Sequence, residues 1–391
     1  MQLTRLRPRA VSHHARLILL LARSKRLSNF SDWVTNELHA SVPITNPSIV
    51  RTENTWIAGV RVPAYTIDRL GRYRFLADPT LTSTSLLLTL DDNFSTVVES
   101  QIDDTPVKRL GVGNDGLEDV RLTYSAASGL QGVWSALDMG QDNRSIKLTA
   151  DGTFVPSWKN SRNTIVQARI SQRKTLTDVR VLRSPLGSQR EKNWMPTASG
   201  DESWFVYRLH PLEVLCLPPD HDSHTAEPHV VSSDMRLAGW SGSSQLVPWG
   251  DGYLCVIHRA AREAKQWPLW RRTVYIHALL ELGPDRDVRN ISRPFRFDHF
   301  GIEFCAGLAM HADRVHFSYG RADRSAHIGS IPVSTLSRLL QTPETQSGGS
   351  GPFMLLRRTL ERSRVLRRPR PRHSCRDAVR GRSFRLRLVI R

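Results

Sequence analysis

The chain has 391 residues, 39% of them hydrophobic and ten of them Trp, enough to bury a sizeable core, and no apolar stretch long enough to span a bilayer. Its formal charge of +18 is carried by the ends: residues 1–30 hold +7 and residues 351–391 hold +12, leaving −1 across 31–350. A neutral middle argues against a basic nucleic-acid face, and the Arg-rich ends read as solvated tails. Cys216, Cys255, Cys305 and Cys375 are scattered, with no Cys-x-x-Cys and no zinc spacing. They read as reduced thiols of a cytosolic protein, with no metal expected.

In chain order, residues 1–30 form a basic leader. Its apolar run Leu17–Ala22 is short and meets Arg23-Ser24-Lys25-Arg26 without a small-residue cleavage site, so it reads as a short helix rather than a signal peptide. Ser31–Ala40 is a plausible helical turn. From Asn46 onward one pattern recurs: a short apolar strand, a Gly/Asp/Asn turn, another short strand. The hairpins are centred on Ser128-Gly129, Asp151-Gly152, Ser199–Asp201, Gly250–Gly252 and His311–Asp313. Their spacing of roughly 50 to 70 residues suits propeller blades with variable loops, and a β-sandwich is the competing fold. Only Ala260–Gln266 and Ser334–Leu340 look helical. Thr342–Pro352 has linker composition, and the Arg-rich tail beyond it has few core-forming residues. The expected domains are thus the leader (1–30), an all-β domain (31–341) and a linker with a disordered basic tail (342–391).

Residues 111–124 are the most informative stretch. A Gly/Asn/Asp turn runs into a strand that carries Glu118, Asp119 and Arg121. Strict alternation puts Asp119 and Arg121 on one face and Glu118 and Val120 on the other. Carboxylates entering an apolar strand need partners, and the plain reading is an Asp–Arg pair closing a turn.

Five stretches together resemble a known family, the five-bladed β-propellers of mannoside phosphorylases and β-mannosidases, including such modules found beside bacterial glycosyltransferases. They are Asn46-Pro47-Ser48, Gly116–Arg121, Glu191–Pro196, Asp251–Leu254 leading to His258, and Tyr319–Asp323. Their order and spacing match across roughly 45–335. The resemblance implies a general acid at Asp119, with Val120 where the family usually has Pro. It implies sugar contacts at Asn46, Arg121, Asn193 and Asp323. Trp194, which follows Asn193 here, reads either as a sugar-stacking platform or as a Trp of the blade core. Lys192 and His258 are implied at a phosphate, with Arg272, beside Arg271, as a further bidentate candidate. Arg259 follows His258 where the family usually has Gly. Glu303, an acid among apolar residues, is the candidate second carboxylate.

The expected function is therefore making or breaking a β-mannoside-type bond, with inversion. An acetal oxygen leaves only when protonated, which is the task of Asp119. A phosphorylase needs cations for inorganic phosphate as co-substrate, and an inverting hydrolase needs a second carboxylate to activate water. The residues offer both. The partner is an oligosaccharide or sugar phosphate, and no cofactor is expected. The alternative is a non-catalytic glycan-binding module supporting a glycosyltransferase partner.

Overall fold

In the computed structural model the chain divides into two compact units, Met1–Glu344 and Thr345–Arg391. The structure describes residues 24–341 except 68–72, 76–82, 140–146, 149–152, 156–159, 189, 198–202, 218–226 and 263–272. The second unit lies outside the described residues, as do the leader up to residue 23 and the tail.

The described chain is all-β in a propeller arrangement. Four sheets are regular four-stranded antiparallel blades. The first joins Thr45–Arg51, Trp56–Pro63, Ser83–Leu90 and Thr96–Gln101. The second joins Leu117–Ser125, Gly129–Asp138, Arg162–Ile170 and Leu176–Leu182. The third joins Met195–Pro196, Ser203–Leu209, Leu212–Leu217 and His229–Ser232. In the fourth, Glu303–His311, Arg314–Arg321 and Ser325–Pro332 are completed by Val34–Leu38 from the other end of the chain. A seven-stranded sheet centres on Gly252–Arg262 and Thr273–Leu282.

The strand Val34–Leu38 corrects the helical turn expected at Ser31–Ala40. It adds to Ser325–Pro332 and ties the chain's two ends into one sheet, so a tertiary pairing overrides a weak local signal. The leader also ends earlier than expected: Lys25–Arg26 pairs with Phe295–Arg296, and Leu27 is fully buried. Ala260–Arg262, expected to open a helix, continues a strand paired with Thr273–Tyr275. The helix at Val333–Leu340 does form and packs Leu336, Leu339 and Leu340 into the core beside the last blade.

The strands Thr45–Arg51, Leu117–Ser125 and Glu303–His311 are the first of their blades and lie against one another. Polar groups stitch them: Ser48 Oγ accepts from Leu122 N (2.9 Å), and Ser318 Oγ donates to Pro47 O (2.7 Å). Gln245 Nε2 donates to both Ile49 O (3.1 Å) and Leu308 O (2.9 Å), while its Oε1 accepts from Leu308 N. These bonds satisfy main-chain groups that the blade ladders leave free where the strands converge. Each blade interface is filled by apolar side chains, as where Val50, Ile57 and Leu87 of the first blade pack with Val120, Leu122 and Trp134 of the second.

A further small sheet forms from two excursions. Tyr65–Ile67 and Tyr73–Phe75 leave the first blade, Lys147–Leu148 and Thr153–Val155 leave the second, and they join through Tyr73–Phe75 and Thr153–Val155. Of the hairpin expected around Asp151-Gly152, Lys147–Leu148 and Thr153–Val155 pair in this sheet, apart from the four blades, and its turn lies outside the described residues. Among the described residues, no helix is long and apolar enough to cross a membrane.

Candidate active site

The site is built by one backbone device used twice. In the first blade, Asn46 and Pro47 oppose a single partner, Val60; in the second, Asp119 and Val120 oppose Trp134. Each is a β-bulge, and in each the leading residue is left-handed, Asn46 at φ 48° and Asp119 at φ 47°. Asn and Asp bear that conformation better than other side-chain-bearing residues, and a bulge re-aims the side chain it carries. Asn193, just before the first strand of the third blade, repeats the conformation at φ 64°.

The bulge overturns the strict alternation expected for this strand, so that Glu118, Asp119 and Arg121 all join one polar cluster. Asn46 Nδ2 donates to Asp119 Oδ1 at 2.8 Å, linking the two bulges. Arg121 donates from Nε to Ser243 O (2.7 Å), from Nη1 to the main-chain oxygen of Asp119 (3.0 Å) and from Nη2 to Asn193 Oδ1 (3.0 Å). Burial lowers the Arg121 guanidinium to about 10, still a cation at neutral pH. Val120 points into the apolar interface, as expected.

Arg61 and Glu118 form the base of the cluster and were not picked out as site residues in the sequence. Arg61 Nη2 binds Glu118 Oε1 at 2.6 Å and Tyr65 OH at 3.1 Å, its Nε binds Ser83 Oγ, and its Nη1 lies 3.6 Å from Asp119 Oδ1. Lys192 Nζ closes the other Glu118 oxygen at 2.9 Å. Burial opposes the charge on Glu118, but Arg61 and then Lys192 outweigh it and hold the carboxyl at about 2. The available signal was a lone charge in the apolar run Ile57–Val62, the same signal that drew attention to residues 118–121.

Asp323 enters from the turn that follows Arg314–Arg321, where Ala322 and Asp323 are both left-handed. Its carboxyl is raised, first by burial and then by the nearby charges of Asp119 and Glu118, against Arg61 and a hydrogen bond from Asn46. Gly320 has a physical reason: a Cβ there would fall 1.9 Å from Asn46 Oδ1. The side chains of Asp119 and Lys192 are 22% and 43% exposed, so the cluster is reached from solvent, whereas Arg61 and Glu118 are sealed beneath it.

The structure thus brings together Asn46, Asp119, Arg121, Lys192, Asn193 and Asp323. Three other candidates differ from expectation. Trp194 is buried in the third blade, edge-on to Phe205 and Tyr207, with Nε1 donating to Glu191 Oε2 at 2.9 Å; it offers no face to a sugar. Glu303 is fully buried, and the main-chain N–H groups of Phe297, Asp298 and His299 occupy its two oxygens at 2.7–2.9 Å, so it makes no bond to the cluster among the described residues. His258 is buried against Tyr275 (centroids 5.3 Å apart, 15° between planes) and the edge of Phe304. Burial and then Arg121 lower its imidazole to about 4, so at neutral pH it brings no positive charge to an anion. Arg271 and Arg272 lie outside the described residues. Of the expected phosphate ligands among the described residues, Lys192 joins the cluster, already paired with Glu118, and His258 does not.

Among the described residues, no group of three His, Cys, Asp or Glu side chains is placed to hold a metal. Asp285-Arg286-Asp287, an Asp-x-Asp triplet, lies in the turn between Thr273–Leu282 and Val288–Ile291, where Arg286 contacts Cys216 and the Trp204 ring.

No protein-family model and no curated protein matches the chain. Solved structures do match its fold. MPT-1, a GDP-Man-dependent mannosyltransferase from Leishmania mexicana, has a TM-score of 0.51 at 11% identity, over 87% of this chain and 97% of that one. MPT-4, a mannose phosphorylase from Leishmania mexicana in complex with phosphate ion, has a TM-score of 0.50 at 11% identity, over 83% and 95%. A glycosyl hydrolase from Bacteroides ovatus has a TM-score of 0.50 at 12% identity, over 74% and 84%. The fold is therefore that of a β-propeller shared by mannosyltransferase, phosphorylase and hydrolase structures.

Proposed function

We propose that this protein is a mannoside-active carbohydrate enzyme that makes or breaks a glycosidic bond at the bulge cluster, with Asp119 delivering or removing the proton. The observation that carries the reading is the setting of Asp119. A bulge aims its carboxylate into a solvent-reached cluster, Asn46 orients it, and Arg121 spends its hydrogen bonds elsewhere. Proton transfer to a glycosidic oxygen needs such a carboxyl, oriented but not sealed in a bidentate ion pair. Asn193 and Asp323 supply polar contacts for sugar hydroxyls beside it. All three chemistries named for the matching structures transfer or cleave a glycosyl group, which supports the substrate class.

With Glu303 enclosed, hydrolysis through a Glu303-activated water loses its support, and transfer to phosphate or to another sugar is favoured. Inorganic phosphate is the proposed co-substrate for the first. We also infer that the seven-stranded sheet serves as a fifth blade. Its run of Ser241–Gly242, Gly252–Arg262, Thr273–Leu282 and Val288–Ile291 repeats the blade meander, and Gln245 from the same sheet bonds the first strands of two other blades. The linker and Arg-rich tail are proposed to stand outside this domain.

The test is to incubate the full chain with mannose 1-phosphate and mannose, with β-mannobiose and inorganic phosphate, and with GDP-mannose and mannose. Product in any of these supports the reading, and which one appears identifies the donor. Silence in all of them, with sugar binding retained, overturns it in favour of a glycan-binding module.

A further inference from the structure

Glu303 is excluded from the bulge cluster, yet it is a fully buried acid with an organised set of partners. Its Oε1 accepts from Asp298 N (2.9 Å) and His299 N (2.7 Å), and its Oε2 from Phe297 N (2.9 Å). The Asp298 carboxyl also acts on Glu303, raising it as a hydrogen-bonding neighbour. Asp298 Oδ2 accepts from Tyr319 OH (3.3 Å) and Arg321 Nη1 (3.2 Å). Its Oδ1 is buried and has no hydrogen-bond donor among the described residues. A buried acceptor without a donor is costly, and two facing carboxylates are more so. One proton placed between the two carboxyls removes both costs.

The same loop holds part of the candidate site. Ile302, next to Glu303, accepts a hydrogen bond from Ala322 N (2.9 Å), and Arg321 is paired to Asp298. Residues 321 and 322 lead directly into Asp323. We propose that Glu303 and Asp298 share one proton, and that this proton is a positioning device holding the turn that presents Asp323 to the bulge cluster.

The shared proton belongs mainly to Glu303, whose carboxyl is raised to about 8 by burial and then by the Asp298 carboxyl, against the three N–H donors. Of the other groups facing the pair, Tyr319 and Cys305 are raised by burial, His327, His277 and Arg296 are lowered by burial, Arg321 is paired with Asp298, and His299 gives its main-chain N–H to Glu303. A group raised in the fold stabilises it fully below its unfolded value, and that contribution is lost as pH rises through the folded value. Here the window runs from about 4.5 to about 8.

Asp298→Asn separates the shared proton from a purely structural contact. An asparagine whose Oδ1 accepts from Tyr319 and Arg321 turns its Nδ2 toward Glu303, donating to an ionised carboxylate with no proton required. The experiment is amide hydrogen exchange at Ala322 in the full chain, expressed as protection relative to the unfolded rate at each pH. Wild type is expected to lose protection about 20-fold between pH 6.5 and 8.5, the factor set by losing a proton of pKa about 8 over that range. Asp298→Asn is expected to keep its protection. Equal losses in both proteins, or none in wild type, overturn the proposal; if the variant does not fold, the wild-type series decides alone. The consequence for catalysis rests on the mannoside reading, but the exchange measurement does not, so either can fail without the other.

Discussion

Arg121 binds Asp119 through the main-chain oxygen, at 3.0 Å, and leaves the carboxylate to Asn46 at 2.8 Å, with Arg61 3.6 Å away. The arginine therefore fixes the bulge without neutralising the acid it carries. Arg121→Lys keeps a charge but cannot reproduce three directed bonds to Ser243, Asp119 and Asn193. The expected result is a fall in kcat of about 10-fold to 100-fold, with a smaller change in KM, read from steady-state kinetics on the active substrate pair. An unchanged kcat would show that the bulge holds its shape without the guanidinium.

Removing the cation beneath the site is expected to be worse for the fold than for binding. Arg61→Met leaves Glu118 buried with Lys192 as its remaining charge partner, and breaking a buried pair from one side costs about 3–5 kcal/mol. Urea denaturation measures this loss. Arg61→Met combined with Glu118→Leu should recover a large part of it, because the uncompensated charge is gone.

On the acid side, two kinds of group weaken the fold as pH falls. His258 and His316 are both lowered to about 4, mainly by burial, so they stay neutral in the fold while the unfolded chain takes up protons below about 6.5. Stability is lost from pH 6.5 down to 4, by about 3 kcal/mol for each histidine. Glu118, held at about 2, adds a further loss from about 4.5 downward. His277 and His327 are lowered by burial as well. His258→Phe should therefore remove one of several histidine contributions and make the decline measurably shallower in a series of melts between pH 7 and 4. An undiminished slope would mean that His258 is protonated in the fold.

Trp194→Phe is expected to cost about 1–3 kcal/mol, since it leaves Glu191 Oε2 without its buried donor. KM should not change. A raised KM with unchanged stability would return Trp194 to the sugar-stacking role that its place after Lys192-Asn193 suggested.

Much of the fold was legible because hairpin turns are local. Ser128-Gly129, Gly250–Gly252 and His311–Asp313 mark real strand reversals. What local reading missed was non-local. Val34–Leu38 is a strand because Ser325–Pro332 lies beside it, some 290 residues away in sequence. The site was partly legible for the same reason. Asn46, Asp119, Arg121, Asn193 and Asp323 could be singled out in short motifs, but the partition of side chains between faces was wrong where a bulge breaks alternation. Glu303 shows the limit most clearly: an acid in an apolar strand signals a partner, and sequence does not reveal that three main-chain N–H groups supply it.

The central claim is that Asp119 moves the proton in glycosyl transfer or cleavage, and Asp119→Asn tests it most directly. Asparagine fits the bulge, tolerates the left-handed backbone and can still accept from Asn46. The variant should therefore melt like wild type. Assayed on whichever donor and acceptor the wild-type chain turns over, it should be slower by about 10²- to 10⁴-fold, with sugar binding little changed. A variant that keeps wild-type turnover would contradict the account and leave Asp119 as a structural partner of Asn46 and Arg61.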